Sequence, residues 1–387
     1  MHKKFKDIIY YFTQVHNSFP SKIANNIQVL NMCKGFENNG QKVILVNALC
    51  RENYFRSFRI KNLVGEMFGI SIKSEFSWIK FYYPFPWFKQ LIYAFYVLIF
   101  VIKNKVTLSY TRSDLIMILL LSANKNSVFE AHQANRKVCL RMMSRLIKLK
   151  KNIKNIKIIV ISYELKKEFL KIGFPEEIIQ VEHDAVDLER FNISYNRNQL
   201  RRKLELPIDK RIITYSGSLQ AGRGIEIILD CASMLSNYLF LIIGGRTSEE
   251  IEYYKSISKN KKNIIFLGFV YQELIVKYLS ASNILLMPHT ENCDIIKYTS
   301  PMKMFEYMAS KTPIISSDFP VFREILNEQN ALLIFPSDSG LLSNAINKII
   351  TNKSYAKSLS NQAYKDVQNY TWEKRAARIS KFILNNG

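Results

Sequence analysis

The chain predicts two doubly wound α/β domains, each a parallel sheet covered by helices on both faces. Three observations lead there. At 387 residues it exceeds what a single hydrophobic core usually holds. Short runs rich in Ile, Val and aromatic residues alternate with stretches of helical periodicity, the pattern of a parallel sheet with crossover helices. A polar segment, NISYNRNQLRRKLELPIDK, divides those runs into two sets. The first set is DIIYYF, KVILVNA, TLSYTR, SVFEAH and KIIVIS; the second is RIITYSG, YLFLIIGG, NIIFLGF, NILLMPH, TPIISSD and ALLIFP. The expected division is a first domain over 1–191, a linker over 192–210 and a second domain over 211–369, with a helix at about 370–387 packing back on the first. Ligands of such sheets sit beyond the carboxyl ends of the strands, so the residues just after each run carry the information.

Charge is unevenly placed. Residues 1–160 hold 26 Lys+Arg against 7 Asp+Glu, a net of +19 out of the chain's +23, so one half faces something anionic. Nucleic acid, an anionic membrane surface or a phosphate-bearing substrate would each suit. FYYPFPWFKQLIYAFYVLIFVIK contains an apolar stretch of 12 residues, Leu91 to Ile102, short for a spanning helix. It reads first as a buried helix and second as a contact with a bilayer surface. Arg136 to Lys157 carries nine basic residues and no acidic one. Lys137, Arg141 and Arg145 are spaced four apart with Val138, Met142 and Ile147 off that line, which suits either a basic amphipathic helix on anionic headgroups or a solvated outer helix. Cysteines 33, 50, 139, 231 and 293 form no C-x-x-C pair and no ligand spacing with the histidines, as expected of a reduced, cytosolic protein without structural zinc. The start, MHKKFKDIIYYF, lacks the long apolar core of a secretory signal.

In TSPMKMFEYMASKTPIISSD, Ser300 suits an N-cap and Pro301 the first helical position. Met302, Phe305, Met308 and Ala309 would make the buried stripe of that helix, with Lys303, Glu306 and Tyr307 on another side. The third helical residue is usually acidic, because a carboxylate there complements the positive end of the helix dipole. Here it is Lys303. A cation at that end is mildly unfavourable unless an anion at the helix mouth uses both the ammonium and the backbone N–H groups; a solvated lysine is the plainer reading. In YSGSLQAGRGIEIILD, Gly217, Gly222 and Gly224 allow a tight backbone approach and Arg223 again puts a cation where a helix begins. Both cations can converge on one pyrophosphate if their strands are neighbours.

These stretches, in order, resemble the family 4 glycosyltransferases, retaining nucleotide-sugar enzymes with two Rossmann-like parallel-sheet domains facing a central cleft, the GT-B fold. IIQVEHDAVDLERF looks like the domain-joining segment, YSGSLQAGRGIEIILD the phosphate loop, and NIIFLGFVYQELIVKYLSASNILLMP the nucleotide-side strand, loop and helix. SPMKMFEYMASKTPIISSD matches the most specific motif, and NNIQVLNMCKGFENNGQKVILV, YTR and VFEAH also fit. The resemblance implies that Arg223 and Lys303 hold the donor diphosphate, that Glu306 accepts from the ribose hydroxyls, and that Gly268, Phe269 and Val270 meet the base. It further implies that His132 faces the donor sugar, that Gly217, Ser218, Gly222, Gly244 and Gly245 line the nucleotide, and that Tyr298, Thr299, Ser300, Pro301 and Met302 belong to the donor site. Two departures stand out. The family pairs two glutamates eight positions apart, and counting back from Glu306 gives Tyr298, leaving Asp294, Glu291 or Tyr298 itself for the sugar. Ser218 stands where the phosphate loop often has arginine.

The resemblance implies a metal-independent hexosyltransferase, acting on a nucleotide-sugar donor and a glycan or lipid-linked oligosaccharide in bacterial surface polysaccharide or lipopolysaccharide assembly. No D-x-D occurs, so no metal and no other cofactor is expected. The expected location is cytoplasmic, peripheral on the inner face of the plasma membrane. Rival readings are a nucleotide-sugar epimerase of the same fold and a basic nucleic-acid- or membrane-binding protein without catalysis; no recognised nucleic-acid motif appears.

Overall fold

The computed structural model describes residues 8–14, 24–49, 64–65, 69–83, 88–150, 155–245, 247–258 and 261–384. Cys50, the opening residues 1–7 and positions 84–87 and 151–154 of the two first-half segments lie outside them. The chain forms two compact units, Met1–Asp184 with Trp372–Gly387, and Ala185–Thr371.

The first unit is a sheet of seven parallel strands: β1 Ile9–Phe12, β2 Val43–Leu49, β3 Glu75–Lys80, β4 Leu108–Thr111, β5 Ser127–Ala131, β6 Ile156–Val160 and β7 Ile179–Val181, in the order β3-β2-β1-β4-β5-β6-β7. β4, β5 and β6 are buried along their whole length, so they do not alternate apolar with exposed polar residues, and their charged members Glu130 and Lys157 are buried too. Helices Lys89–Lys103, Asp114–Ser122, Lys137–Lys148 and Tyr163–Ile172 follow one another across the sheet, each packed on the next. Ser113 and Ser162 cap the second and fourth of these, and Gly173 ends the fourth in the left-handed region at φ 97°.

The second unit has six parallel strands: β8 Ile212–Gly217, β9 Leu239–Gly244, β10 Ile264–Gly268, β11 Ile284–Met287, β12 Ile314–Ser317 and β13 Leu332–Ile334, in the order β10-β9-β8-β11-β12-β13. Two of its buried clusters lie on opposite faces of the sheet. Ile213 and Tyr215 of β8 point into one with helix Ile225–Met234. The other gathers Met304, Phe305, Tyr307 and Met308 of helix Met302–Ala309 with Phe322.

All eleven expected runs are strands. β3 and β7 were not foreseen: β3 is an edge strand that opens on an exposed Glu75 and never reads as apolar, and β7 has only three residues. The expected boundary at 191 lies instead at 184/185. Leu188 and Phe191 pack on the second unit's core, and Val186 is bridged to Thr371. The expected linker 192–210 is folded: Asn196 and Gln199 close a capping box over helix Arg197–Lys203, and Leu200 and Leu206 are buried with Ile212, Leu239 and Leu241. Its polar composition concealed Arg201, which is itself buried and donates to the carbonyl oxygens of Ala281, Ile208 and Lys210.

The terminal helix Trp372–Leu384 packs on helix Ala24–Asn38 of the first unit. Contact is closest at Gly35, where an added Cβ would lie 2.5 Å from the Trp372 carbonyl oxygen. Gly35→Ala would gain about 1 kcal/mol of helix propensity, but a backbone oxygen cannot swing away. We expect a net loss of about 1 to 3 kcal/mol in urea unfolding, and an unchanged midpoint would contradict this packing.

Candidate functional site

In the second unit the strand order reverses beside β8, which pairs with both β9 and β11. Gly217 ends β8, and the turn after it packs on the segment after β11. A Cβ at Gly224 would lie 1.7 Å from the Pro288 carbonyl oxygen, and one at Gly222 would lie 2.5 Å from the Cys293 backbone. Both glycines have positive φ, at 77° and 78°, so neither space nor conformation admits a side chain. That closeness delivers Arg223 to His289: Arg223 Nη1 is 3.1 Å from His289 Nε2.

Lys303 reaches the end of β8, the strand paired with β11. Its ammonium lies 4.3 Å from the centroid of the Tyr215 ring, and a Cβ on Gly217 would be 3.4 Å from Nζ. Burial first, and the Arg223 guanidinium second, press the Lys303 amine well below the ordinary lysine range. Among the described residues no carboxylate forms an ion pair with Arg223 or Lys303. The helix starts one residue later than expected. Pro301 is the N-cap, without a side-chain hydrogen bond, and Met302 is the first helical residue, so Lys303 is second rather than third. The leading N–H groups of a helix have no intrahelical acceptor, which adds positive potential beside the ammonium. Thr299 and Ser300 are buried behind this turn.

Glu306 stands one turn after Lys303. Burial raises its carboxyl, while Arg190 and Lys303 pull it back down. Tyr307 is not on that open side. It is fully buried and accepts from the Ser216 N–H at 2.8 Å, which clamps the helix to β8. Tyr298 is half-buried, and Glu291 and Asp294 are exposed on the turns before it. Gly244, at φ 118°, lies so close to Gly217 that a Cβ would be 2.0 Å from its carbonyl oxygen. Gly245 and Gly268 both face Ile251, and Phe269 is exposed with Tyr271 edge-on at 5.4 Å. Val270 and Ser218 are half-buried. The residues expected to hold a nucleotide thus gather at the ends of β8, β9 and β10 and the start of helix Met302–Ala309. Sequence reasoning missed His289, Tyr215 and Tyr307, whose signal was only a strand-end position or a helical spacing read one face off.

In the first unit, His132 follows β5 and borders a cavity of about 330 Å³ shared with Gln14, Asn25, Arg112 and Arg136. Its Nε2 lies 2.8 Å from Glu130, a fully buried carboxylate that also accepts from Gln28 at 2.6 Å, Arg375 at 3.0 Å and the Tyr110 hydroxyl. Burial alone would raise Glu130, but Arg375 and His132 outweigh it and hold the carboxyl well below the ordinary glutamate range. Burial and Arg112 lower His132, against the pull of Glu130. The ring is then neutral with its proton on Nε2, and Nδ1 keeps a lone pair. Arg375 comes from the terminal helix and also donates to the carbonyl oxygens of His183 and Glu182. Because the folded-state pKa of Glu130 is depressed, its contribution is present above the unfolded glutamate value and lost as pH falls below it. Arg375→Met should cost about 3 to 5 kcal/mol by leaving a buried carboxylate uncompensated. That loss should shrink on acidification and be largely recovered in Glu130→Gln/Arg375→Met; a loss that persists in the double variant would contradict the account.

Residues 196–366 match the family model of the glycosyl transferases group 1. The putative teichuronic acid biosynthesis glycosyltransferase TuaC of Bacillus subtilis is 22% identical over 215 residues, 54% of this chain and 51% of that protein. The alpha-galactosylglucosyldiacylglycerol synthase of Streptococcus pneumoniae is 24% identical over 176 residues, 44% of this chain and 46% of that protein. The chain spans about half the length of these curated relatives. The crystal structure of Anabaena Alr3699/HepE in complex with UDP shares the fold, with a TM-score of 0.73 at 14% identity over 97% of this chain and 99% of that one. The part of the chain that brings Arg223, Lys303 and Glu306 together is therefore a glycosyl transferases group 1 domain, carried by a chain with the two parallel-sheet domains of the GT-B fold.

Proposed function

We propose that this protein is a retaining glycosyltransferase of family 4 that moves a hexose from a nucleoside-diphosphate sugar to a lipid-linked oligosaccharide in bacterial surface polysaccharide or lipopolysaccharide assembly. One observation carries the reading: Arg223 and Lys303 stand at the ends of the paired strands β11 and β8 without a carboxylate partner among the described residues. A diphosphate supplies the missing charge. Glu306 then accepts from adjacent ribose hydroxyls, since its two oxygens can take both, and the Gly268–Phe269–Val270 turn meets the base. Fixed cations stabilise the leaving diphosphate, each worth about 3 to 4 kcal/mol in a preorganised site, so no metal is called for. The acceptor hydroxyl attacks from the face the diphosphate leaves and gives its proton to a phosphate oxygen. His132 serves the sugar side, offering Nδ1 as an acceptor. The names of the relatives, a teichuronic acid glycosyltransferase and a glycosyldiacylglycerol synthase, favour an acceptor of cell-envelope type, and HepE was crystallised with UDP.

Among the described residues no helix is long and apolar enough to cross a membrane. We propose peripheral attachment to an anionic leaflet. Helix Lys89–Lys103, read from sequence first as buried, keeps Tyr93, Ala94, Val97 and Val101 inside but exposes Phe95, Ile99 and Ile102, the last two by more than half. Helix Lys137–Lys148 exposes Val138 and Met142 beside Lys137, Arg141 and Arg145, and buries Leu140, Met143 and Ile147. At about 1 kcal/mol per basic residue near an anionic surface, Lys137→Glu/Arg141→Glu/Arg145→Glu should weaken binding to phosphatidylglycerol vesicles at least about a hundredfold. Equal binding to neutral vesicles, or tighter binding to RNA at near-physiological salt, would remove the membrane reading.

Arg223→Ala and Lys303→Ala should each weaken donor binding about a hundredfold while leaving the thermal midpoint of the ligand-free protein unchanged or higher, because each removes one of two repelling charges. Since the Lys303 amine is lowered in the free site and a diphosphate would raise it again, binding should take up a fraction of a proton and weaken as pH rises. Calorimetry in buffers of different ionisation enthalpy measures that uptake; proton release attributable to Lys303 would be the wrong sign.

A further inference from the structure

Arg223 has no ion-pair partner among the described residues to aim it, and its one side-chain hydrogen bond there goes to His289. His289 is fully buried two residues beyond β11. Its carbonyl oxygen accepts from Ser317 Oγ of β12 at 2.7 Å, and Phe322 stands edge-on to the ring at 5.2 Å. The backbone and the ring plane are therefore fixed independently of Arg223. The ring's Nδ1 is buried with no hydrogen bond of normal geometry, and the backbone of Met287 is the acceptor beside the ring.

We propose that His289 is a positioning residue of the diphosphate site: a neutral imidazole accepts one hydrogen bond from Arg223 through Nε2, orienting the guanidinium beside Lys303 while leaving its whole charge for the ligand. Arginine has donors only, so it can be aimed only by an acceptor. A carboxylate would aim it with a stronger bond and cancel the charge that the diphosphate needs. An imidazole does the first without the second. Acceptance at Nε2 requires the proton on Nδ1, and the Met287 backbone beside the ring is an acceptor that favours a ring proton there. The groups facing the ring are Arg223 from the glycine turn, Lys303 from helix Met302–Ala309, Phe322 and the Met287 backbone. Burial first, then Lys303 and Arg223, hold it well below the ordinary histidine range and keep it neutral where a donor would bind.

This inference rests on the reading of Arg223 as a diphosphate ligand, and one experiment separates the two. Affinities for UDP, GDP and inorganic pyrophosphate are measured by calorimetry on the full chain carrying His289→Leu, His289→Gln, Arg223→Ala or His289→Leu/Arg223→Ala. His289→Leu should bind about tenfold more weakly, and His289→Gln, whose amide oxygen can stand near the Nε2 position, should recover to within about threefold. Arg223→Ala should lose about a hundredfold, and the double variant no more than Arg223→Ala alone. Additive losses, or a glutamine no better than leucine, overturn the positioning role even when Arg223→Ala behaves as expected; unchanged affinity in Arg223→Ala overturns the reading beneath it. Should His289→Leu fail to fold, the imidazole carbon shifts of the unsubstituted protein still decide. They should report a neutral Nδ1–H ring from about pH 5.5 to about pH 8, and a ring that protonates in that window overturns the proposal.

Discussion

The mutual repulsion of Arg223 and Lys303 is the constraint around which the second unit is arranged. Two unit charges close together at a protein surface repel by a few kcal/mol, on the order of the stability that one good core contact supplies. Neither cation is there by the default of a flexible surface chain: Arg223 is carried by a turn whose two glycines press on the backbone after β11, and Lys303 by a helix whose Tyr307 is bonded to β8. Backbone approach that close leaves little room for the charges to separate. The packing energy of the domain therefore holds an electrostatically unfavourable arrangement that an anion would relieve.

The first unit handles a buried charge in the opposite way. Glu130 is surrounded by donors from helix Ala24–Asn38, β4, the residue after β5 and the terminal helix, and its charge is met inside the protein by Arg375. A network satisfied on every side rigidifies what it touches, and what it touches here is His132. The first unit thus meets the Glu130 charge internally and presents an oriented imidazole; the second leaves Arg223 and Lys303 without a carboxylate partner among the described residues.

Surface chemistry follows the same division. The excess positive charge of residues 1–160 is not spread evenly, for Lys137, Arg141, Arg145 and Lys148 line one helix, while the neighbouring face of helix Lys89–Lys103 is apolar on its outside as well as its inside. A helix apolar all round is ordinarily enclosed; this one is enclosed on one side only.

Periodicity and order along the chain were enough for the two-sheet architecture, because strands buried on both faces are mostly apolar and their crossovers are helical. The motifs are equally legible: Gly222, Arg223, Gly224 and Lys303 stand out by turn chemistry and helix-start position, and Glu306 by the resemblance to the family 4 glycosyltransferases. Edge strand β3, the folded segment 192–210 and the boundary at 184/185 were not, since exposed edges and polar capping boxes carry no apolar signature. Only the tertiary structure brought His289 to Arg223, Tyr215 to Lys303 and Arg375 to Glu130, pairs separated by 66, 88 and 245 positions. A linear pattern records what each residue needs locally, turn, cap or burial; which distant partner meets that need is decided by how strands are ordered in the sheet, and no periodicity encodes that.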